Sequence, residues 1–296
     1  MDNRAEARSF LASRRARITP DQAGIEPVGT RRRVPGLRRD EVARLAGVSV
    51  DYYVRLERGN LTGVSDSVLD AIGLALHLDQ AETDHLYDLA REANRSRRGR
   101  RSSVSTTRPL SPGVQYMLDA ITKAPALVTN LRLDVVAANT LGRAMYADMF
   151  RTVSEPANHS RFIFLDPRAR SFYADWDAAA DFNVAVLRHQ SGRFPHDRGL
   201  AELIGQLSQR SSEFPARWAA HNVRRHAWGV KRFHHRAVGP LDLIYQQVEL
   251  DAESGHAMTV YPAVPGSPSE KALDELATWA VAEQITEWTA PALTGT

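Results

Sequence analysis

The chain has 296 residues, 43% of them hydrophobic and 25% charged, which suffices for two domains with substantial cores and argues against disorder. It has no cysteine, which excludes disulfides, thiolate zinc fingers, cysteine nucleophiles and thiol redox sensing. The net charge of +3 is uneven: residues 1–108 carry 20 Arg against 15 acids, or +5, and the remainder carries −2.

Residues 4–17 set Ala5, Phe10 and Leu11 among arginines, which predicts a helix with Phe10 buried and its basic face in water. A loop rich in Gly, Pro and Arg follows, and its run Arg31-Arg32-Arg33 is suited to neutralising phosphates. Residues 37–59 read as two short helices joined by a turn at Gly47. Val42, Ala43, Ala46, Val48, Tyr53 and Leu56 face inward, and the Ser49 hydroxyl caps the second helix. Val50, Asp51, Tyr52, Val54 and Arg55 then face a groove about 12 Å wide, the DNA major groove. Arg38, Arg39, Arg55 and Arg58 are expected at phosphates, and Ser49, Val50, Asp51 and Tyr52 at the base-reading end. Glu57, which phosphates would repel, is expected to hold an arginine of its own chain. An αα-hairpin of this kind also occurs in bundles that touch no nucleic acid; the local cationic excess favours DNA.

Residues 65–77 form a further helix, and Asp79 with Glu82 makes a capping box that opens another through Leu86, Leu89 and Ala90. The division expected is a helix-turn-helix bundle at 1–93, a basic linker at 94–109 rich in Arg, Ser and Thr, a second domain at 110–268, and a C-terminal helix and tail at 269–296.

Beyond Pro109 a helix is predicted at 111–123, with strands at 126–129 and 133–139. Asn139 is placed to cap a helix over 140–146. Helices at 167–190, 197–211 and 213–226 lead to strands at 229–235, 241–250 and 257–264. The five strands make an antiparallel sheet with helices on one face, an α+β domain with a helical insert. The last helix, 270–288, aligns Leu273, Leu276, Ala277, Ala280, Val281 and Ile285 for packing or dimerisation.

E-V-A-R-L-A-G-V-S and R-L-E-R-G resemble the Cro/C1-type, xenobiotic-response-element class of helix-turn-helix, with Arg39 where that class commonly carries a phosphate-binding glutamine. The wider set R-V-P-G-L-R-R-D-E-V-A, V-V-A-A-N, F-L-D-P-R-A-R, W-A-A-H-N-V, G-V-K-R-F-H-H and Y-P-A-V-P-G-S resembles the MmyB-like transcription regulators over roughly residues 4–268. That resemblance implies a DNA-binding domain joined to a PAS-like domain that takes a small, lipid-like ligand, here an apolar or fatty-acid-like effector.

No G-x-S-x-G is present, and no catalytic residue is assigned. His221 and His226 are five apart, His234 and His235 adjacent, and no H-E-x-x-H occurs, so neither a metal site nor a cofactor is expected. Trp218 and His221 share a helix face; His221 reads either as a core histidine or as a polar anchor for a ligand. Trp176, Trp218, Phe233 and Tyr261 either fill a core or line an apolar cavity, and Asn139 either caps its helix or touches ligand.

A homodimer on a palindromic operator, with half-sites about 34 Å apart, is expected because one helix-turn-helix makes few base contacts. Two other readings stay open: a DNA-binding protein whose second domain only dimerises, and a DNA-tethered small-molecule enzyme. The first twenty residues hold no apolar stretch of signal-peptide length and no window reaches the ~18 apolar residues of a membrane span, so a cytoplasmic protein is expected.

Overall fold

The computed structural model describes residues 3–25, 34–95, 110–151, 156–220, 228–251, 255–286 and 288–289. Arg31-Arg32-Arg33, His221 and positions 96–109 of the expected linker lie outside these residues. The chain divides into two compact units: residues 1–103 with 184–201 and 216–225, and residues 104–183 with 202–215 and 226–296.

In the first unit, α1 (Asn3–Arg17), α2 (Arg39–Leu45), α3 (Val50–Glu57), α4 (Asp66–Ala75) and α5 (Gln80–Arg95) realise the expected five-helix bundle. Phe10, Leu11, Val42, Tyr53, Leu56, Ile72, Leu86 and Leu89 share one core. The capping box forms: the Asp79 amide donates to Glu82 at 3.1 Å and the Glu82 amide to Asp79 at 2.9 Å. The basic face of α1 is not all in water, however. Arg14 is 2% exposed because its Nε reaches Glu82 at 2.9 Å, and Arg17 binds the same carboxylate through both Nη atoms. A buried guanidinium needs such a partner.

Sequence reading kept the two domains contiguous, whereas residues 184–201 and 216–225 cluster with the first unit. Arg188 accounts for part of this. It is fully buried there, its Nη1 donating to Glu6 at 2.5 Å and its Nη2 to the Trp218 carbonyl.

The second unit begins with α6 (Pro112–Ala120), β1 (Ala126–Thr129), β2 (Val135–Ala138) and α7 (Thr140–Met145). After a 3-10 turn at Met149–Arg151 come α8 (His159–Leu165), α9 (Ala169–Phe172) and α10 (Trp176–Arg193), whose residues from Val184 belong to the first unit. Then follow α11 (Arg198–Arg210), whose residues up to Ala201 belong to the first unit, α12 (Phe214–Ala219), whose residues from Ala216 belong to it too, β3 (Trp228–His235), β4 (Gly239–Asp251), β5 (His256–Val260), α13 (Pro268–Ala282) and a two-residue β6 (Trp288–Thr289). The expected helix at 167–190 is thus two helices, interrupted where Tyr173 and Ala174 meet β3. α8 was not anticipated.

The strands are antiparallel throughout, in the order β3-β4-β5-β1-β2, with β6 added on β2. β1 is central and buried along its whole length. Successive side chains of a strand point to opposite faces, so Leu127 enters the main core while Ala126 and Val128 pack beneath α6 with Leu118 and Met258. α13 covers α7 and β4 through Leu273, Leu276 and Ala280. Val281, expected on that stripe, is 77% exposed, because one position beyond Ala280 turns it about 100° away from the core.

Candidate DNA-binding face and effector site

The turn between α2 and α3 depends on Gly47, whose φ of +65° lies in the left-handed region that a side chain disfavours. Ser49 then starts α3, its hydroxyl accepting the Tyr52 amide at 3.2 Å. This fixes the helix phase. Tyr53 is fully buried and Tyr52 half-buried, while Ser49, Val50, Asp51, Arg55 and Arg58 are exposed. Val50 is 45% exposed at the first turn, an apolar side chain facing solvent where base edges are read in a helix-turn-helix.

Charges flank this surface. Arg39 is exposed and Arg38 half-buried, the Arg38 amide donating to Glu41 at 2.6 Å. Arg55 donates to the Thr62 carbonyl at 3.1 Å with its guanidinium 5.9 Å from the Tyr52 ring, which orients it without neutralising it. Glu57 is 3% exposed and takes Nε of both Arg15 and Arg39, as the sequence required. The one carboxylate at the end of α3 is thus turned inward, and the outer face keeps its cations.

The core of the second unit is aromatic. Tyr146 sits at its centre, 4.9 Å from the His159 ring, 5.3 Å from Phe172, 6.2 Å from Phe233 and 6.1 Å from Tyr261. Its hydroxyl donates to that of Tyr261 at 3.2 Å. Burial pushes the Tyr146 and Tyr173 hydroxyls far above the ordinary tyrosine range and that of Tyr261 to about 12, so all three stay protonated as hydrogen-bonding groups.

Against this core lies a cavity of about 320 Å³ whose lining includes Tyr146, Phe162 and Phe172. Small-molecule pockets begin at about this size. Arg168, Arg236 and Asp148 line it as well. Asp148 has the guanidinium nitrogens of Arg151 and Arg168 at 3.6 Å and that of Arg236 at 3.8 Å, beyond hydrogen-bond reach, while Arg168 also grips Asp166. His235 lines the cavity too but is spent on the fold: its Nε2 lies 3.2 Å from the Ala144 carbonyl and its Nδ1 accepts the Ala237 amide. Burial lowers its pKa and favours the neutral ring that this pattern needs.

A family model described as the MmyB-like transcription regulator ligand binding domain matches residues 110–276, more than half of the chain. The chain belongs to the MmyB-like transcription regulators. A helix-turn-helix domain model matches residues 10–86, across the capped hairpin described above. No curated protein matches the chain. This MmyB-like chain is therefore a DNA-binding transcription regulator with a ligand-binding domain. Among its described residues no helix is long and apolar enough to cross a membrane.

Of the residues singled out in this MmyB-like sequence, Trp176, Phe233 and Tyr261 come together in the aromatic core, although none of them lines the cavity. Trp176 donates from its indole to the Ile163 carbonyl at 3.1 Å, with the Arg170 guanidinium 3.9 Å from its ring. Asn139 uses its side chain on the backbone. Its Oδ1 accepts the amides of Gly142 and Ala126 at 2.8 and 2.9 Å, and its Nδ2 donates to the carbonyls of Ile121 and Ala124. Trp218 is half-buried in the first unit, stacked at 4.1 Å by Arg188. Sequence reasoning missed Tyr146, Phe172, Arg168 and Arg236. Arg168 was within sight in F-L-D-P-R-A-R, but nothing local distinguishes it from the other arginines of an arginine-rich chain.

Proposed function

We propose that this regulator binds a palindromic operator as a homodimer in the cytoplasm, and that an apolar, fatty-acid-like effector held by the second domain changes its affinity for DNA. The observation that carries the reading is the exposed start of α3, with Val50, Asp51 and Arg55 outward, in a chain whose ligand-binding domain has a cavity with Tyr146, Phe162 and Phe172 in its lining. The rings of Tyr146, Phe162 and Phe172 suit an apolar ligand body, and the polar lining beside them suits a polar end on it. An effector that prefers one dimer geometry shifts the DNA-competent population by its differential affinity, typically ~1–3 kcal/mol.

The test is to select the preferred duplex from a random pool, then measure its dissociation constant by fluorescence anisotropy with and without dodecanoate. A preferred duplex with an inverted repeat and a several-fold shift with the acid support the reading. A preferred duplex whose affinity ignores a bound acid supports a second domain that does not signal, and no sequence preference removes operator recognition.

A further inference from the structure

β3 aligns Gly229, Lys231, Phe233 and His235 on one face of the sheet, with Phe233 in the aromatic core. Lys231 is half-buried on this face. Its Nζ lies 4.5 Å from the centre of the Phe182 ring and 4.6 Å from that of Tyr245, two rings that meet edge to face at 5.9 Å. Gly229 makes the second wall possible: a side chain there would begin 2.8 Å from Tyr245 Cε1, so only glycine lets that ring lie across the strand. Aromatic faces attract an ammonium but do not neutralise it.

No carboxylate among the described residues pairs with Lys231. Among the described residues Lys231 has no ion pair or hydrogen bond through its ammonium, and burial alone brings its pKa down to about 8. The titratable neighbour is His159, held neutral by burial and then by the Lys231 charge itself, its pKa lowered to about 3. Beyond His159, against whose ring Tyr146 packs, lie the linked hydroxyls of Tyr146 and Tyr261. A cation in apolar surroundings is held against its solvation preference, and an entering anion relieves that cost. The chain has three lysines among its 38 basic residues, so a compact ammonium at this position stands apart from its general use of arginine.

We propose that Lys231 is the anchoring cation for an acidic group of the effector, a carboxylate at the head of an otherwise apolar molecule. The assignment rests on the reading of the second domain as an effector site. The aromatic walls would hold the ammonium in place.

The experiment compares dodecanoate with 1-dodecanol on the full-length protein by isothermal titration calorimetry at pH 7, in wild type and Lys231→Met. Wild type is expected to bind the acid at least tenfold more tightly than the alcohol, and Lys231→Met to bind the two alike. An acid preference that survives in Lys231→Met, or equal binding of both by wild type, overturns the role of Lys231 and leaves the effector site standing. Binding of neither probe by wild type removes the ligand class and this assignment with it. A second measurement needs no variant: with 13C-labelled lysine, the resonances of Lys123, Lys231 and Lys271 are followed through a pH titration. Dodecanoate, and not dodecanol, is expected to move the Lys231 midpoint upward by a unit or more; an unmoved midpoint in the acid-bound protein overturns the proposal.

Discussion

Arg15 of α1 holds Glu57 at the end of the recognition helix α3, its Nε donating to Oε1 at 2.5 Å while its Nη1 donates to the Leu37 carbonyl at 2.7 Å. One guanidinium thus ties the helix-turn-helix to the helix before it. Arg39, exposed to solvent, donates to the other carboxylate oxygen. Glu57 is 3% exposed, so changing it to Gln leaves two cations against one neutral amide. Removing one partner of a buried pair typically costs ~3–5 kcal/mol, and Arg39 is partly solvated. A loss of roughly 3 kcal/mol in urea-unfolding free energy is expected for Glu57→Gln, with DNA affinity falling only as far as the folded fraction falls.

Arg55 has a different role. Exposed and held on the Thr62 carbonyl, it presents charge without a carboxylate partner among the described residues. Arg55→Ala is expected to weaken binding to all duplexes alike and to lower the slope of log K against log salt by about 1, the signature of one lost phosphate contact. Val50→Ala, by contrast, is expected to alter base preference at one position. A changed preference in Arg55→Ala with an unchanged salt slope refutes the assignment.

Asn139 joins the start of α7 to β1 and to the end of α6 through four hydrogen bonds. Caps contribute ~1 kcal/mol and each buried partner left unsatisfied costs ~1–3 kcal/mol. Asn139→Ala should therefore lose about 3 kcal/mol or more in the ligand-free protein, measured by chemical denaturation. An unchanged midpoint there, with weaker ligand binding, would make Asn139 a ligand contact instead.

Acid should destabilise the protein in two steps. Burial alone would raise the Glu6 pKa, but the neighbouring His85 ring, 3.7 Å away, and the charge and hydrogen bond of Arg188 reverse this and bring it from 4.5 to about 2. A depressed carboxylate contributes stability above its unfolded pKa that is lost as the pH falls through the folded one, here between about 4.5 and about 2. His159 is moved from 6.5 to about 3, first by burial and then by Lys231. Because the unfolded chain binds this proton more readily, that loss begins near pH 6.5 and continues to about 3. Denaturation midpoints measured from pH 8 to 3 should show both; Glu6→Gln should remove the lower loss and leave the upper one.

What local rules govern was legible in the chain. Gly47, the Ser49 cap, the inward Tyr53, the Asp79 and Glu82 box and the Asn139 cap each follow from spacing over a few residues, and the structure contains all of them. The five main strands were legible from runs of apolar and β-branched residues, whereas the two-residue β6 offers too little pattern. Nor does α8 announce itself, since its seven residues make two turns, too few for a 3.6-residue apolar period to register. The site was less visible. Tyr146 meets Phe172 only through the path of the helical insert, Lys231 meets Tyr245 only through the register of β3 against β4, and no spacing in the sequence encodes either meeting. Arg14 was misjudged for the same reason, since its partner Glu82 is 68 positions away.

β3 forms one margin of the sheet among the described residues, and its outward positions are Val230, Arg232 and His234, with Arg236 just beyond. A strand at a margin invites a second copy to extend the ladder; here Tyr173 bridges Phe233 and the Ala174 amide donates to the Arg232 carbonyl, which occupies part of that edge, and charged side chains along an edge are a recurrent further guard. Two molecules meeting there would bring Arg232 and Arg236 of each into proximity with those of the other. Extension of the ladder through this margin is therefore discouraged by the occupied edge and by the repulsion of those guanidinium groups.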